Sequence, residues 1–170
     1  MKIPNLSLEI TSDDILSLIS KFTTDDSFFI TSISMSDRLL IVGKVSLKTI
    51  NIPFNCNLSL VSIANNIISI KIDSFNAVNI TIPSKIKEAA LKKILSSFSK
   101  DWINQQKDII TLDINTFMKG NKISTLSINE FAFRNSKLNI SLENLTFEDS
   151  LESLLSSVTV TNQNNLMITI

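Results

Sequence analysis

Apolar and polar residues alternate with period two in four separate stretches of this chain, and a long amphipathic segment interrupts them midway. The clearest alternating stretch places four apolar residues in phase: Phe54, Cys56, Leu58 and Leu60. This pattern predicts strands of an antiparallel sheet with one apolar face and one polar face. The apolar face is larger than a short helix covers. It therefore needs a long helix, a helix with a bound lipid, or a partner protein to fill it.

The first 22 residues predict a strand followed by a helix. Leu6, Leu8 and Ile10 alternate in phase, as in a short strand. The sequence Thr11-Ser12-Asp13-Asp14 then supplies capping hydroxyls and acidic residues that favour the first turn of a helix. Apolar residues recur at three- and four-residue spacing beyond this point. We expect a helix from about Ser12 to Phe22 that places one apolar stripe on the sheet.

Two β-hairpins are predicted next. The first runs from Phe29 to Leu47 about a turn near Ser36-Asp37-Arg38. The second joins the Phe54 stretch to a returning strand in which Ile68, Ile70 and Ile72 are in phase. Its turn is Asn65-Asn66, because Asn tolerates the positive φ that a tight hairpin turn requires.

The spacing from Ser84 to Gln106 predicts one long helix. Pro83 suits the entry, since its fixed φ matches the first turn. The apolar positions cover close to half of the circumference, more than on an ordinary surface helix; they are Ile86, Ala89, Ala90, Leu91, Ile94, Leu95, Phe98, Trp102 and Ile103. Such a helix needs apolar contact on two sides. The expected fold class is therefore α+β, with a highly curved antiparallel sheet wrapped around one long central helix, and a shorter N-terminal helix.

Strands resume after this segment. The phase slips by one residue near Asn129-Glu130, which predicts a β-bulge. The other predicted elements are a strand through Ile110, Leu112 and Ile114, a turn at Lys119-Gly120-Asn121, a strand through Leu138, Ile140 and Leu142, a short helix over Asp149–Ser157, and strands at Val158–Val160 and Leu166–Ile170. No linker or repeat divides the sequence, so we expect a single domain over residues 1–170.

Composition excludes most familiar catalytic chemistry. The chain has no His, no Tyr and only two Gly, so it lacks the usual general base, the commonest metal ligand and a glycine-rich phosphate loop. Sixteen basic residues balance sixteen acidic ones, which leaves no long-range field to attract nucleic acid. We expect no enzymatic activity, no cofactor and no nucleic-acid partner. Three acidic pairs are able in principle to hold a hard cation but fit helix caps and solvated loops better: Asp13-Asp14, Asp25-Asp26 and Glu148-Asp149.

The sequence also suggests a location. No stretch reaches the ~18 consecutive apolar residues of a membrane-spanning helix, and the first residues lack the apolar run of a signal peptide. A cytoplasmic location is therefore expected. The single cysteine, Cys56, lies in a strand pattern and is expected to be a small buried residue rather than half of a disulfide.

The order of these elements resembles the tubular lipid-binding (TULIP-like) superfamily, and it is most similar to domains of small bacterial lipoproteins. The segment from Glu9 to Leu16 is similar to the strand-to-helix opening of that family. The segments Leu40–Val78 and Ile86–Gln106 are similar to its hairpins and its central helix. Those lipoproteins also carry a signal sequence and a lipidated Cys, which this sequence lacks. The region after Gly120 is richer in strands than theirs.

The resemblance implies non-catalytic binding of a lipid or another apolar ligand in a channel between the central helix and the sheet. Burial of each methylene of an acyl chain contributes about 0.8 kcal/mol to such binding. The implied lining comes from the sheet and from the helix: Phe54, Leu58, Leu60, Ile68, Ile70 and Ile72, with Ile86, Ala90, Ile94, Phe98 and Trp102. The other interpretation is that these side chains simply pack against one another in a filled core.

The alternative function is that of a structural or interaction protein. Such a protein binds a partner, or a second copy of itself, through an apolar face or through free sheet edges. Four phenylalanines near strand ends are candidates for an exposed patch, with contact to a partner or transient contact to a membrane: Phe28, Phe29, Phe131 and Phe133. A large cavity favours lipid binding, whereas a filled core with an exposed Phe patch favours the interaction protein.

Overall fold

A computed structural model describes residues 1–23, 26–78, 81–98, 100–148, 158–162 and 165–168. Most of these residues belong to antiparallel strands, and the helices are short. The strands are β1 (Lys2–Ile10), β2 (Phe28–Met35), β3 (Leu39–Leu47), β4 (Ile50–Ala64), β5 (Ile67–Ala77), β6 (Ile103–Gln106), β7 (Ile109–Asp113), β8 (Ile123–Arg134), β9 (Lys137–Phe147), β10 (Val158–Asn162) and β11 (Asn165–Ile168). The helices are α1 (Ser12–Phe22), α2 (Ser84–Ser96) and α3 (Ile114–Gly120).

The larger sheet has six strands in the order β2-β3-β4-β5-β7-β6. Both predicted hairpins are confirmed as β2–β3 and β4–β5, and the turn between β4 and β5 is the predicted pair Asn65 and Asn66, with φ of 52° and 60°. Cross-strand register aligns apolar residues into rows. One such row joins Met35, Leu39, Leu58 and Ile72. These rows form the inner face of the sheet.

The smaller sheet has three strands in the order β1-β9-β8, and β10 pairs with β11 in a separate hairpin. The apolar face of the three-stranded sheet includes three aligned rows: Leu6, Leu142 and Ile128; Leu8, Ile140 and Phe131; Ile10, Leu138 and Phe133. The predicted bulge is confirmed, because the pairing of β8 with β9 shifts register between Ile128 and Glu130.

Two hydrophobic clusters stabilise this arrangement. The main core joins the inner face of the six-stranded sheet to α2 and to one end of the three-stranded sheet, where Phe131, Phe133 and Leu138 enter it. A smaller cluster lies between the three-stranded sheet and α3; it consists of Leu6, Met118, Leu126 and Leu145. The two sheets and the helices therefore share apolar surface.

The predicted fold class is wrong, because no long central helix spans Ser84 to Gln106. Helix α2 ends at Ser96 after 13 residues, and Ile103–Gln106 forms strand β6, which pairs with β7. Hydroxyl groups help to end the helix: Oγ of Ser96 and Oγ of Ser97 both donate to the carbonyl of Lys93, at 2.9 and 3.0 Å. Such bonds compete with the helical ladder. The sheet therefore does not wrap one long helix.

Helix α3 was not predicted, because the alternation favoured a strand that extends through Ile114, whereas β7 ends at Asp113. Its start is capped by Asp113, whose Oδ1 accepts hydrogen bonds from the backbone of Asn115 and Thr116 at 3.0 and 3.2 Å. The predicted turn at Lys119-Gly120-Asn121 is the C-terminal end of this helix.

Predictions for the last part of the chain have mixed outcomes. The predicted helix over 149–157 lies outside the described residues. The strands predicted near Val158 and Leu166 are present as β10 and β11, and residues 169–170 lie outside the described part. Among the described helices, none has the length and apolarity needed to cross a membrane.

Candidate functional site

The predicted channel residues form part of the main core. Six of them are buried and four are half-buried against the same cluster: Phe54, Leu58, Ile68, Ile72, Ala90 and Ile94, then Leu60, Ile70, Ile86 and Phe98. Ala90 is 0% exposed and Phe54 is 1% exposed. The structure therefore brings these side chains together, and they contact one another.

Aromatic rings fill the space between the end of α2 and the sheet. Phe28 stacks with Phe54 at a centroid distance of 6.0 Å, and Phe54 stacks with Phe75 at 5.2 Å. Phe98 meets the ring of Phe28 edge-on at 6.0 Å. Such aromatic contacts add to the stability that burial provides.

Trp102 packs elsewhere. Its ring lies edge-on against Phe117 at a centroid distance of 5.2 Å, and its carbonyl accepts a hydrogen bond from the backbone N–H of Asp113 at 2.8 Å. It therefore anchors β6 to β7 and the start of α3. The sequence predicts a helix from Ser84 to Gln106 with Trp102 beside the channel, whereas the structure places Trp102 directly before β6.

A depression of about 390 Å³ lies between α1 and the edge strand β2. Its lining comes from both elements: Asp13, Leu16, Ser17, Ile19, Ser20 and Thr23 of α1, with Phe28, Phe29 and Ile30 of β2. Leu16 and Ile19 of α1 are only half-buried against the core, so they leave apolar surface exposed in this depression. We call this depression the α1–β2 groove. None of the predicted channel residues lines it.

Strand β2 forms one edge of the six-stranded sheet, and among the described strands it pairs with β3 alone. Its sequence, FFITSISM, contains no charged residue, no Pro and no Gly. Phe29 is 64% exposed on this edge, whereas the other three phenylalanines proposed for a patch (Phe28, Phe131 and Phe133) are buried. An edge of this length and composition is open to pairing with another strand.

The other sheet edges carry features that discourage pairing. The opposite edge of the same sheet, β6, has only four residues, three of them exposed and polar. Strand β1 contains Lys2, Pro4 and Glu9, and β11 lies beside it. Charge, Pro and short length are the devices by which natural proteins protect sheet edges. Strand β2 lacks these three features, although it contains a bulge, and α1 packs beside its first half.

A side chain occupies the edge of β8. Nδ2 of Asn66 donates to the carbonyl of Leu126 at 2.6 Å, and the N–H of Ile128 donates to Oδ1 of Asn66 at 3.2 Å. The amide of Asn66 therefore pairs with β8 as a peptide group of another strand would. The N–H of Ile114 also donates to the carbonyl of Asn66 at 3.0 Å, which ties the hairpin tip to α3. The Asn65-Asn66 turn was predictable from the sequence, but these hydrogen bonds were not.

A second depression, of about 830 Å³, lies on the β6–β7 hairpin. Six of its seven lining residues have polar side chains, and all seven come from that one hairpin: Asn104, Gln105, Gln106, Lys107, Asp108, Ile109 and Thr111. Gln105 Nε2 donates to the carbonyl of Lys107 at 2.6 Å, so part of this polar surface is already paired within the turn.

The titratable groups with shifted pKa values have structural explanations. Hydrogen bonds from the backbone and then the side chain of Thr11 lower the pKa of Asp14. Hydrogen bonds from the side chain and then the backbone of Thr116, with a smaller contribution from Asn115, lower the pKa of Asp113. Burial, with a smaller effect of Asp73, raises the pKa of Cys56 to about 12. The Cys56 thiol is therefore protonated at neutral pH and is a poor nucleophile.

The acidic pairs do not assemble into a metal centre in the described part of the chain. No group of three or more Cys, Asp and Glu side chains there is close enough to hold an ion. Asp13-Asp14 lies in the first turn of α1, where the sequence predicts it. The other two pairs each include a residue outside the described part, Asp25 or Asp149.

No protein-family model, curated protein or solved structure matches this chain. The candidate site therefore rests on the structure alone. It consists of the edge strand β2 and the α1–β2 groove beside it.

Proposed function

We propose that this chain is a non-catalytic binding domain that accepts an extended polypeptide segment as an added strand along β2. The observation that carries this proposal is an eight-residue edge strand without charge, Pro or Gly, next to an apolar groove. In recognition by strand addition, main-chain hydrogen bonds supply affinity, and pockets for alternate side chains supply specificity.

Each part of the surface has a role in this mechanism. The outer backbone groups of β2 bond the main chain of the added strand. The α1–β2 groove receives apolar side chains of that strand on the inner face, where Leu16 and Ile19 offer half-buried apolar surface. The exposed ring of Phe29 adds apolar contact, and aromatic residues contribute strongly to interfaces.

Charge does not set the specificity of this edge, because β2 carries no charged residue. The chain has equal numbers of basic and acidic residues, so long-range attraction does not select the partner. Selection comes from the alternation of apolar and polar side chains in the added strand, because a one-residue slip moves every side chain to the opposite face.

A peptide display experiment tests the proposal. A library of random eight-residue peptides is selected on the wild-type protein, and enriched peptides are titrated by fluorescence anisotropy. We expect peptides that alternate apolar and polar residues. We expect their affinity to fall at least about tenfold for a Ser32→Lys/Ser34→Lys variant, because edge lysines oppose strand pairing. Both serines are exposed on β2.

The matched control is Asn104→Lys/Gln106→Lys, which places two lysines at exposed positions on the opposite edge of the same sheet. This variant should bind the peptides as the wild type does. Selection of no alternating sequence, or affinity that survives both lysines on β2, would contradict the proposal.

A second candidate function is supported by the size of the α1–β2 groove. A volume of about 390 Å³ lies within the range of roughly 300–1,000 Å³ that small-molecule sites occupy. The groove therefore suits part of an acyl chain. This location differs from the channel that the family resemblance implies.

Native mass spectrometry of the purified protein, with oleate as the added probe, tests the second candidate. A lipid that binds the wild type should be lost from Ile19→Trp, because the indole fills the groove. It should be retained by Leu18→Trp, since Leu18 lies on the same helix and does not line the groove. Absence of co-purified lipid in the wild type, together with failure of oleate to bind, would exclude this candidate.

A further inference from the structure

The order of buried and exposed side chains along β2 is almost the same from either end of the strand. Phe28 and Ile30 face the core at one end, and Ile33 and Met35 face it at the other. Between them, Thr31 and Ser32 are both exposed, because the pairing with β3 shifts register between Ile30 and Ser32. The bulge thus divides the strand into two halves that mirror each other. A strand with this symmetry is complementary to an antiparallel copy of itself.

We infer that the partner of this edge is β2 of a second copy of the chain, paired antiparallel about a two-fold axis with Thr31 of one copy opposite Ser32 of the other. This inference rests on the proposed function and names its partner. In this register Ile30 lies opposite Ile33, and Phe28 lies opposite Met35, so every facing pair belongs to the same face of the sheet. The apolar faces of the two six-stranded sheets become continuous.

Other registers are less favourable. A slip of one residue places the exposed Phe29 opposite the buried Met35, so that side chains on opposite faces are paired. The symmetric register has no such conflict. A two-fold interface of this kind is self-complementary, which is the commonest arrangement in homodimers.

Charge is compatible with self-pairing. Strand β2 carries no charged residue, so two copies meet without repulsion along the paired segment. Beyond its ends, the exposed Asp26 of one copy approaches the exposed Asp37 of the other. Salt screens repulsion between exposed charges. Self-association through β2 should therefore strengthen as ionic strength rises, whereas an interface based on opposite charges would weaken.

Sedimentation velocity over a range of protein concentrations tests this dimer. The wild type and Asn104→Lys/Gln106→Lys should show concentration-dependent dimers that are favoured by added NaCl. Ser32→Lys/Ser34→Lys should remain a monomer with an unchanged circular dichroism spectrum, because both substitutions lie at exposed positions.

Disulfide trapping tests the register. Thr31→Cys and Ser32→Cys are purified separately, reduced, mixed and oxidised; the native Cys56 is buried and does not compete. Directly facing residues have Cβ atoms ~4.5–5.5 Å apart, near the spacing that a disulfide spans after small adjustment. We expect the mixture to cross-link faster than either variant alone. Faster linking of Ser32→Cys to itself would indicate the slipped register and overturn the inferred one.

The outcomes separate the two proposals. A wild type that stays monomeric at every concentration, yet binds selected peptides through β2, overturns self-pairing and leaves the proposed function intact. A dimer that persists with both lysines places the interface elsewhere and also overturns self-pairing. If the wild type neither dimerises nor binds any selected peptide, both proposals are wrong.

Discussion

Helices α1 and α2 have similar lengths, 11 and 13 residues, but different interactions stabilise them. Helix α1 begins with a reciprocal capping box, in which the N–H of Asp14 donates to Oγ1 of Thr11 at 3.2 Å and the N–H of Thr11 donates to Oδ2 of Asp14 at 2.9 Å. None of its described side chains is fully buried. Helix α2 has no side-chain cap at Pro83, yet it buries Ala90 and Ile94 in the main core.

The difference shows two routes to a helix. The start of α1 is encoded by neighbouring residues, because capping satisfies amide groups that the helix leaves unpaired. Helix α2 depends on tertiary contacts, as most protein helices do. Substitutions should therefore act on the two helices through different mechanisms.

Replacing Ile94 with Ala should have the largest effect. This side chain is buried between α2 and the sheet, and such a truncation typically lowers the free energy of unfolding by about 2–5 kcal/mol. The corresponding change on α1, Ile15→Ala, should cost less, because Ile15 is only half-buried. Urea unfolding followed by circular dichroism measures both. Equal losses would show that α1 depends on core packing as much as α2 does.

Enlarging Ala90 to Leu should destabilise the protein by about 1–3 kcal/mol, since Ala90 is fully enclosed and extra methylenes force neighbours to shift. The neighbouring Ala89 is exposed, and Ala89→Leu should change stability by less than about 0.5 kcal/mol. Thermal unfolding of the two variants compares adjacent positions on one helix. An unaffected Ala90→Leu protein would mean that the core beside α2 contains free space.

Removal of the cap on α1 should have a moderate effect. Thr11→Ala eliminates the hydroxyl that accepts the Asp14 N–H, and loss of such a cap costs about 0.5–2 kcal/mol. Thr11→Ser retains the hydroxyl and is the matched control. Amide exchange measured by NMR should show faster exchange in the first turn of α1 and unchanged exchange in α2. Uniform acceleration of both helices would contradict a local role.

The smallest effect should come from pH. The hydrogen bonds from Thr11 lower the folded-state pKa of Asp14, so the folded protein holds this carboxylate ionised more readily than the unfolded chain does. The resulting stability is present above the usual Asp pKa of about 3.9 and is lost as pH falls through the lowered value. Asp14→Asn should weaken this pH dependence of stability. Urea unfolding of the wild type and of the variant, at pH values above and below the usual Asp pKa, measures the difference. Helix α2 has no acidic residue in its first turn and should not respond in this way.

Much of the local structure was predictable from residues close together in the chain. The capping sequence Thr11–Asp14 defines the start of α1, and the Asn65-Asn66 pair defines a tight turn because Asn adopts positive φ at low cost. The bulge in β8 was visible as a slip in alternation. Each of these features arises from interactions over a few residues.

The end of α2 was not predictable from apolar spacing alone. Trp102 and Ile103 continue the helical spacing, but the segment Ile103–Gln106 instead pairs across a turn with residues 109–112 of β7. Ile103 and Leu112 face each other in that hairpin, so a strand that forms later in the chain decides the structure of the earlier segment. Helical spacing contains no information about such strand pairing. The prediction of a helix that continues to Gln106 therefore led to the wrong fold class.

The candidate site was predictable only in part. The alternation identified apolar residues that enter the core, but it did not indicate whether a side chain faces a ligand or another side chain. The exposed Phe29 was identified as one of four possibilities, and burial of the other three depends on contacts made by distant strands. The bond between Asn66 and Leu126 joins residues 60 positions apart, and no local signal marks it.

The antiparallel character of the strands, the hairpin turns and the capped start of α1 follow from the amino-acid sequence, because alternation, positive φ and capping act between near neighbours. Three other features follow from long-range packing: α2 stops at Ser96, Asn66 occupies the edge of β8, and β2 lies at the edge of its sheet. These features depend on which strands meet in space. Strand order follows from packing of the whole chain, since apolar faces from distant segments must be buried together.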